Sequence, residues 1–103
     1  MKTSKRLDSV RCTVTRPDGT AYAVKNLGWL PRNWKAVESF RVKPYRGTMR
    51  VCETQLVAYL RDGRIYETPF ASASVLRDWL HRPVFRGCPV TWETLTGHPV
   101  IPA

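Results

Sequence analysis

The sequence is short of acids, of histidine and of paired cysteines, and each shortage removes a class of chemistry. Eight Asp and Glu stand against 17 Lys and Arg in 103 residues. The acids are scattered, so no carboxylate cluster suggests two-metal nuclease chemistry. His81 and His98 are the only histidines and lie far apart, and no pair of ligands has zinc-site spacing. Three cysteines, Cys12, Cys52 and Cys88, share no CxxC spacing and leave an odd count. That pattern fits a reducing cytoplasm better than a disulfide framework. Neither a P-loop nor a dinucleotide fingerprint occurs. The start, Met1-Lys2-Thr3-Ser4-Lys5-Arg6, is basic with no apolar stretch behind it, so no signal peptide is expected. No apolar run approaches the length of a membrane span, and no membrane partner is expected.

Cys88, His81 and Asp78 contain the ingredients of a thiol–imidazole–carboxylate site, but nothing in their spacing demands one. Cys12 sits on an apolar strand face and reads as a small hydrophobe. The expectation is a protein without catalytic residues, metal or cofactor.

What is abundant is positive charge. The formal net charge is +9, and arginine supplies twelve of the 17 cations. Arginine is the better residue for bidentate contacts with phosphate or carboxylate. Such a balance points to an anionic partner: nucleic acid, an acidic protein face or a membrane surface. A hydrophobic content of 43% argues against disorder, and the length suits one domain, 1–103. Residues 1–8 read as a flexible basic arm and 93–103 as an irregular tail.

The chain also matches itself. Asp18-Gly19-Thr20-Ala21-Tyr22 resembles Asp62-Gly63-Arg64-Ile65-Tyr66. Arg32-Asn33-Trp34 then pairs with Arg77-Asp78-Trp79, and Phe40-Arg41 with Phe85-Arg86. One residue inserted in the second spacer aligns the two series. Chains rich in Arg and aromatics also yield chance self-matches. The ordered identities nevertheless suggest two ββα units, about 9–46 and 50–92, related by a pseudo-twofold axis.

Periodicity fills in the elements. Val10, Cys12 and Val14 alternate with polar residues over 9–15, and residues 20–25 return after the turn Arg16-Pro17-Asp18-Gly19. Asn26 can cap a short helix carrying Leu27, Leu30 and Trp34 on one face, with Pro31 tolerable only if the helix starts late or is partly 3₁₀. Residues 37–43 form a strand with Phe40 and Val42 inward, and Pro44-Tyr45-Arg46-Gly47 is the seam. Residues 50–60 and 65–70 form a hairpin about Asp62-Gly63, with Pro69 at a strand end or sheet edge. Ser72 or Ser74 caps the better helix, with Val75, Leu76, Trp79 and Leu80 inward, Arg77, Asp78 and His81 outward, and Pro83 as its stop. A short strand covers Val90 to Trp92. The predicted fold is α+β: an antiparallel sheet of five or six strands with two short helices on one face.

With the other face uncovered, a nucleic-acid patch is expected if one face gathers several of the cations: Arg41, Lys43, Arg46 and Arg50 near the seam, Arg61 and Arg64 at the second hairpin, and Arg77, Arg82 and Arg86 flanking the second helix. Tyr45 and Tyr59 lie close enough to stack on unpaired bases. The plainer alternative is that these arginines only solubilise turns and faces. Trp34 and Trp79 continue apolar helical stripes and read as core. Trp29 lies off the stripe and is the candidate exposed interface aromatic.

The segment Tyr22-Ala23-Val24-Lys25-Asn26-Leu27-Gly28-Trp29-Leu30, with Arg32-Asn33-Trp34, resembles small uncharacterised proteins of bacterial plasmids and phages. The likeness continues through Asp62-Gly63-Arg64-Ile65-Tyr66-Glu67 and Pro83-Val84-Phe85-Arg86-Gly87. It implies a mobile-element context and brings no site residues with it. Two functions follow as expectations. One is a nucleic-acid-binding accessory protein, acting on DNA or RNA. The other is a small inhibitor or adaptor, of the anti-CRISPR kind, that binds a bacterial protein complex. Either is compatible with a monomer or a homodimer.

Overall fold

The computed structural model describes residues 12–25, 27–47, 51–93 and 99–100. The basic arm, the Asn26 cap and Arg50 lie outside the described residues. The described residues form seven strands: β1 (Cys12–Thr15), β2 (Ala21–Val24), β3 (Val37–Pro44), β4 (Thr54–Leu60), β5 (Ile65–Phe70), β6 (Val90–Glu93) and the two-residue β7 (Pro99–Val100). Helix α1 (Trp29–Arg32) follows β2, and α2 (Ala73–Leu80) follows β5. Short 3₁₀ turns, Trp34–Ala36 and Pro83–Phe85, lead into β3 and towards β6. Among the described residues no helix is long and apolar enough to cross a membrane.

Both hairpins close through the same chemistry. Arg16 and Leu60 each donate a backbone N–H across a three-residue loop, to the Thr20 and Arg64 carbonyls at 2.8 and 2.9 Å. Asp18 accepts from the Thr20 N–H at 2.9 Å, and Asp62 from the Arg64 N–H at 3.0 Å. Gly19 and Gly63 follow at φ +93 and +95, a region a Cβ makes costly. These local bonds also hold both carboxyls below the usual aspartate range, chiefly through the backbone N–H each one accepts.

All strands share one sheet, in the order β2-β1-β5-β4-β3-β6-β7. It is mixed rather than antiparallel, because β6 pairs with β3 in parallel: Phe40 opposite Val90, Arg41 opposite Thr91, Val42 opposite Trp92. The cause is α2. A helix joining two strands of one sheet reverses the chain, so β6 must run in the same direction as β5, and β5 runs parallel to β3. Pro69 pairs with Gln55 of β4, beyond the Ile65–Glu67 stretch that pairs with β1, so its missing N–H breaks no ladder.

The two halves share an element order, hairpin then helix then strand, but they are not arranged about a twofold. Such an axis would set β2 beside β4 and β1 beside β6, and the sheet order contains neither pair. The second hairpin instead inserts between β1 and β3, and β6 passes outside β3. The halves interleave in the same sense.

Both helices cover one face, as the sequence pattern predicts. Trp29 of α1 stacks on Tyr66, with ring centroids 5.7 Å apart. Trp79 of α2 meets Phe40 edge-on at 6.0 Å. Ala58 stands opposite both Phe40 and Tyr66 in the ladder, so the two contacts lie on the same side of the sheet. Leu30 and Leu76 are fully buried beneath the helices. Phe85 completes an aromatic cluster with Phe40 and Trp79 at 5.0 and 4.9 Å. A bulge between Val37 and Ser39 lets Val37 and Phe40, three residues apart, both point inward.

Several expectations are corrected. Pro31 falls in the first turn of a helix only four residues long, where its missing N–H has no intrahelical duty. Asn33 ends that helix, its N–H bonding the Trp29 and Leu30 carbonyls. The chain turns there, and Trp34 emerges 44% exposed rather than joining the core. Trp29, the expected surface aromatic, is half-buried against Tyr66. On α2 the predicted Ser72 cap is present, accepting from the Val75 N–H at 3.3 Å, but Val75 itself is exposed. Strand β4 begins at Thr54, not at 50, and Val51 is exposed. The predicted irregular tail contributes β7, which pairs with β6.

Candidate functional site

The exposed Trp34 stands at the end of the sheet where the second hairpin tip, the α1–β3 connection and the α2–β6 connection converge. Two adjoining hollows of about 340 and 400 Å³ meet there, and Trp34 and Lys35 line both. Val37, Val84, Phe85 and Pro89 supply apolar wall to the smaller. Among the described residues, the cations around the pair are Arg32, Lys35, Arg61 and Arg86, and neither lining includes a carboxylate.

Local bonds fix this arrangement. The Arg61 backbone N–H donates to the Ala36 carbonyl at 2.9 Å, and its side-chain Nε donates to the Lys35 carbonyl at 3.1 Å. The hairpin tip is thereby pinned to the 3₁₀ turn, and the terminal guanidinium nitrogens stay available at the rim. On the opposite wall, the Arg86 N–H bonds the Pro83 carbonyl and the Cys88 N–H bonds the Phe85 carbonyl, with Gly87 between them at φ +86. Lys35 Nζ lies 5.5 Å from the Trp34 ring centroid. At an exposed site that contact is weak, about 0.5–1 kcal/mol, so the lysine can leave the indole for an anion.

Cys88 lines the smaller hollow, and burial pushes its thiol above the ordinary range, with Arg61 opposing. It is therefore a neutral thiol near pH 7 and a poor nucleophile. Among the described residues, no group of three or more His, Cys, Asp or Glu side chains is placed to hold a metal ion.

The cations singled out from the sequence do not gather on one face. Arg61 and Arg86 meet in the groove. Arg41 and Lys43 lie on the uncovered sheet face, where Arg41 pairs with Glu93 at 2.9 Å and Gln55 bonds Glu67 at 3.3 Å. That face carries both signs. Tyr45 and Arg46 follow β3 in the seam, with Tyr45 held by its N–H to the Glu53 carbonyl and its ring packed over Gly47. Arg64 is committed elsewhere: it pairs with Asp62 at 2.9 Å, lies 4.9 Å from the Trp29 centroid and hydrogen-bonds Tyr22. Arg77 and Arg82 lie over Trp92 and Trp79 at 5.6 and 5.8 Å.

Periodicity alone misplaces the centre of the groove. Trp34 reads as core because a helix running from Leu27 to Trp34 would return it to the Leu27 and Leu30 face. Pro31 is the available counter-signal: a helix that tolerates it must start just before it, and this one ends before Trp34. Arg32, Lys35 and Val84 are not among the sequence-based site candidates; the first two enter the site through that turn, and Val84 through the α2–β6 connection. No protein-family model, curated protein or solved structure matches this chain.

Proposed function

We propose that this protein binds nucleic acid without chemistry, as an accessory factor of a bacterial mobile element, and that the Trp34 groove is where it does so. One observation carries the reading: four cations surround the most exposed tryptophan, and among the described residues no carboxylate lines either hollow. Elsewhere the described arginines are largely engaged with acids or aromatic rings. Arginine and lysine at the rim suit phosphate oxygens, and releasing the counterions of the polyanion supplies affinity.

The test is binding of fluorescently labelled DNA and RNA across a salt series. With four phosphates neutralised, the logarithm of affinity should fall with log salt at a slope of about −3 to −4. Lys35→Glu with Arg86→Glu should flatten that slope and weaken binding, whereas Arg77→Glu should change it little. Retention of a single host protein free of nucleic acid, lost in the double variant, would instead identify the groove as the docking surface of an inhibitor or adaptor.

A further inference from the structure

Resting on the reading above, we infer that the groove takes a single strand, with an unpaired base stacked on Trp34 and its flanking phosphates held by Lys35, Arg61 and Arg86. Three of the four tryptophans already have ring partners or core contacts. Trp29 lies on Tyr66, Trp79 sits in the Phe40–Phe85 cluster, and Trp92 packs against the core. Trp34 alone is substantially exposed, and it stacks on no other ring of the described residues, with the exposed Lys35 Nζ 5.5 Å from its centroid. An indole held in that way is a stacking platform, and every base offers it a face.

The hollow beside it has the composition an unpaired base requires. Val84, itself 37% exposed, and Pro89 give an apolar wall, while the cations stand at the rim and not on the floor. A duplex cannot use this wall, because its bases are stacked on each other and present only their edges in the grooves. A duplex would reach the rim cations alone. The site therefore separates strands by topology: both kinds of nucleic acid can meet the charge, and only an unpaired base can meet the ring.

The experiment compares a labelled 15-nucleotide oligo-dT with a duplex of equal length at one salt concentration, for the wild type, Trp34→Ala and Trp34→Phe. The expected result is tighter binding of oligo-dT by the wild type, and a loss of about 5- to 150-fold in Trp34→Ala. Trp34→Phe should retain most of the affinity, because it keeps an aromatic face. Oligo-dT should also quench wild-type tryptophan emission, and the quenching should vanish in Trp34→Phe although that variant still binds. Because Trp34 is exposed, both variants should keep the wild-type unfolding midpoint, which separates a lost platform from a lost fold. Equal affinity for duplex and oligo-dT, with Trp34→Ala unchanged but Lys35→Glu/Arg86→Glu impaired, would overturn the single-strand inference and leave nucleic-acid binding standing. No binding of either probe by the wild type would remove both.

Discussion

Arg61 Nε donates to the Lys35 carbonyl at 3.1 Å, joining residues from opposite halves of the chain. The bond orients two groove cations together, since the residue that receives it carries the other charge. Arg61→Lys keeps the charge and loses the planar fork that reaches a carbonyl while leaving other donors free. It should weaken oligonucleotide binding several-fold while costing no more than about 1 kcal/mol of stability. Urea unfolding and a binding titration on the same preparation separate the two effects.

Trp34 and Trp79 occupy matching places in the two similar runs of sequence and should respond in opposite ways. Trp79→Ala removes a ring in contact with Phe40, Phe70 and Phe85 and should destabilise by about 3 kcal/mol or more. Trp34→Ala should stay within about 0.5 kcal/mol of wild type, as surface substitutions do. Equal losses in chemical denaturation would contradict the assignment of one to the core and the other to the surface.

The two hairpin glycines make a second matched pair. Gly19 has open space where a Cβ would project, whereas a Cβ on Gly63 would lie 3.0 Å from Pro17 Cγ in the neighbouring loop. Both replacements carry the cost of positive φ, about 1–2 kcal/mol. Gly63→Ala adds a steric contact and should lower the melting temperature more than Gly19→Ala does. The reverse order would mean that the loops do not touch.

Alkaline pH should destabilise the protein through its buried thiols. Burial pushes Cys12 up to about 12, against 9.0 for a free thiol, and raises Cys52 and Cys88 as well. Above pH 9 the unfolded chain loses these protons while the folded chain keeps them, so stability falls as pH rises towards 12. Cys12 alone steepens the fall by about 1.4 kcal/mol per pH unit in that window. Cys12→Ala should show a shallower decline than the wild type between pH 9 and 11, followed by urea unfolding at each pH.

Local chemistry was legible in the residues themselves. Asp-Gly at each hairpin, Ser72 at the start of α2, the alternation of β3 and β5 and the apolar pair Leu76 and Leu80 each depend on neighbours a few positions away. The order of elements, hairpin then helix then strand in each half, was legible as well. What needed the tertiary structure was every relation between distant segments. The parallel β3–β6 pair exists because α2 crosses two strands before the chain re-enters the sheet. The interleaving of the halves follows from where the second hairpin inserts. Trp34 is exposed because α1 ends at Arg32 and the chain turns at Asn33 before reaching it. Charge, too, is a property of composition, whereas a cationic groove is a property of packing: Arg61 meets Lys35 across 26 positions of sequence, and no period or spacing encodes that encounter.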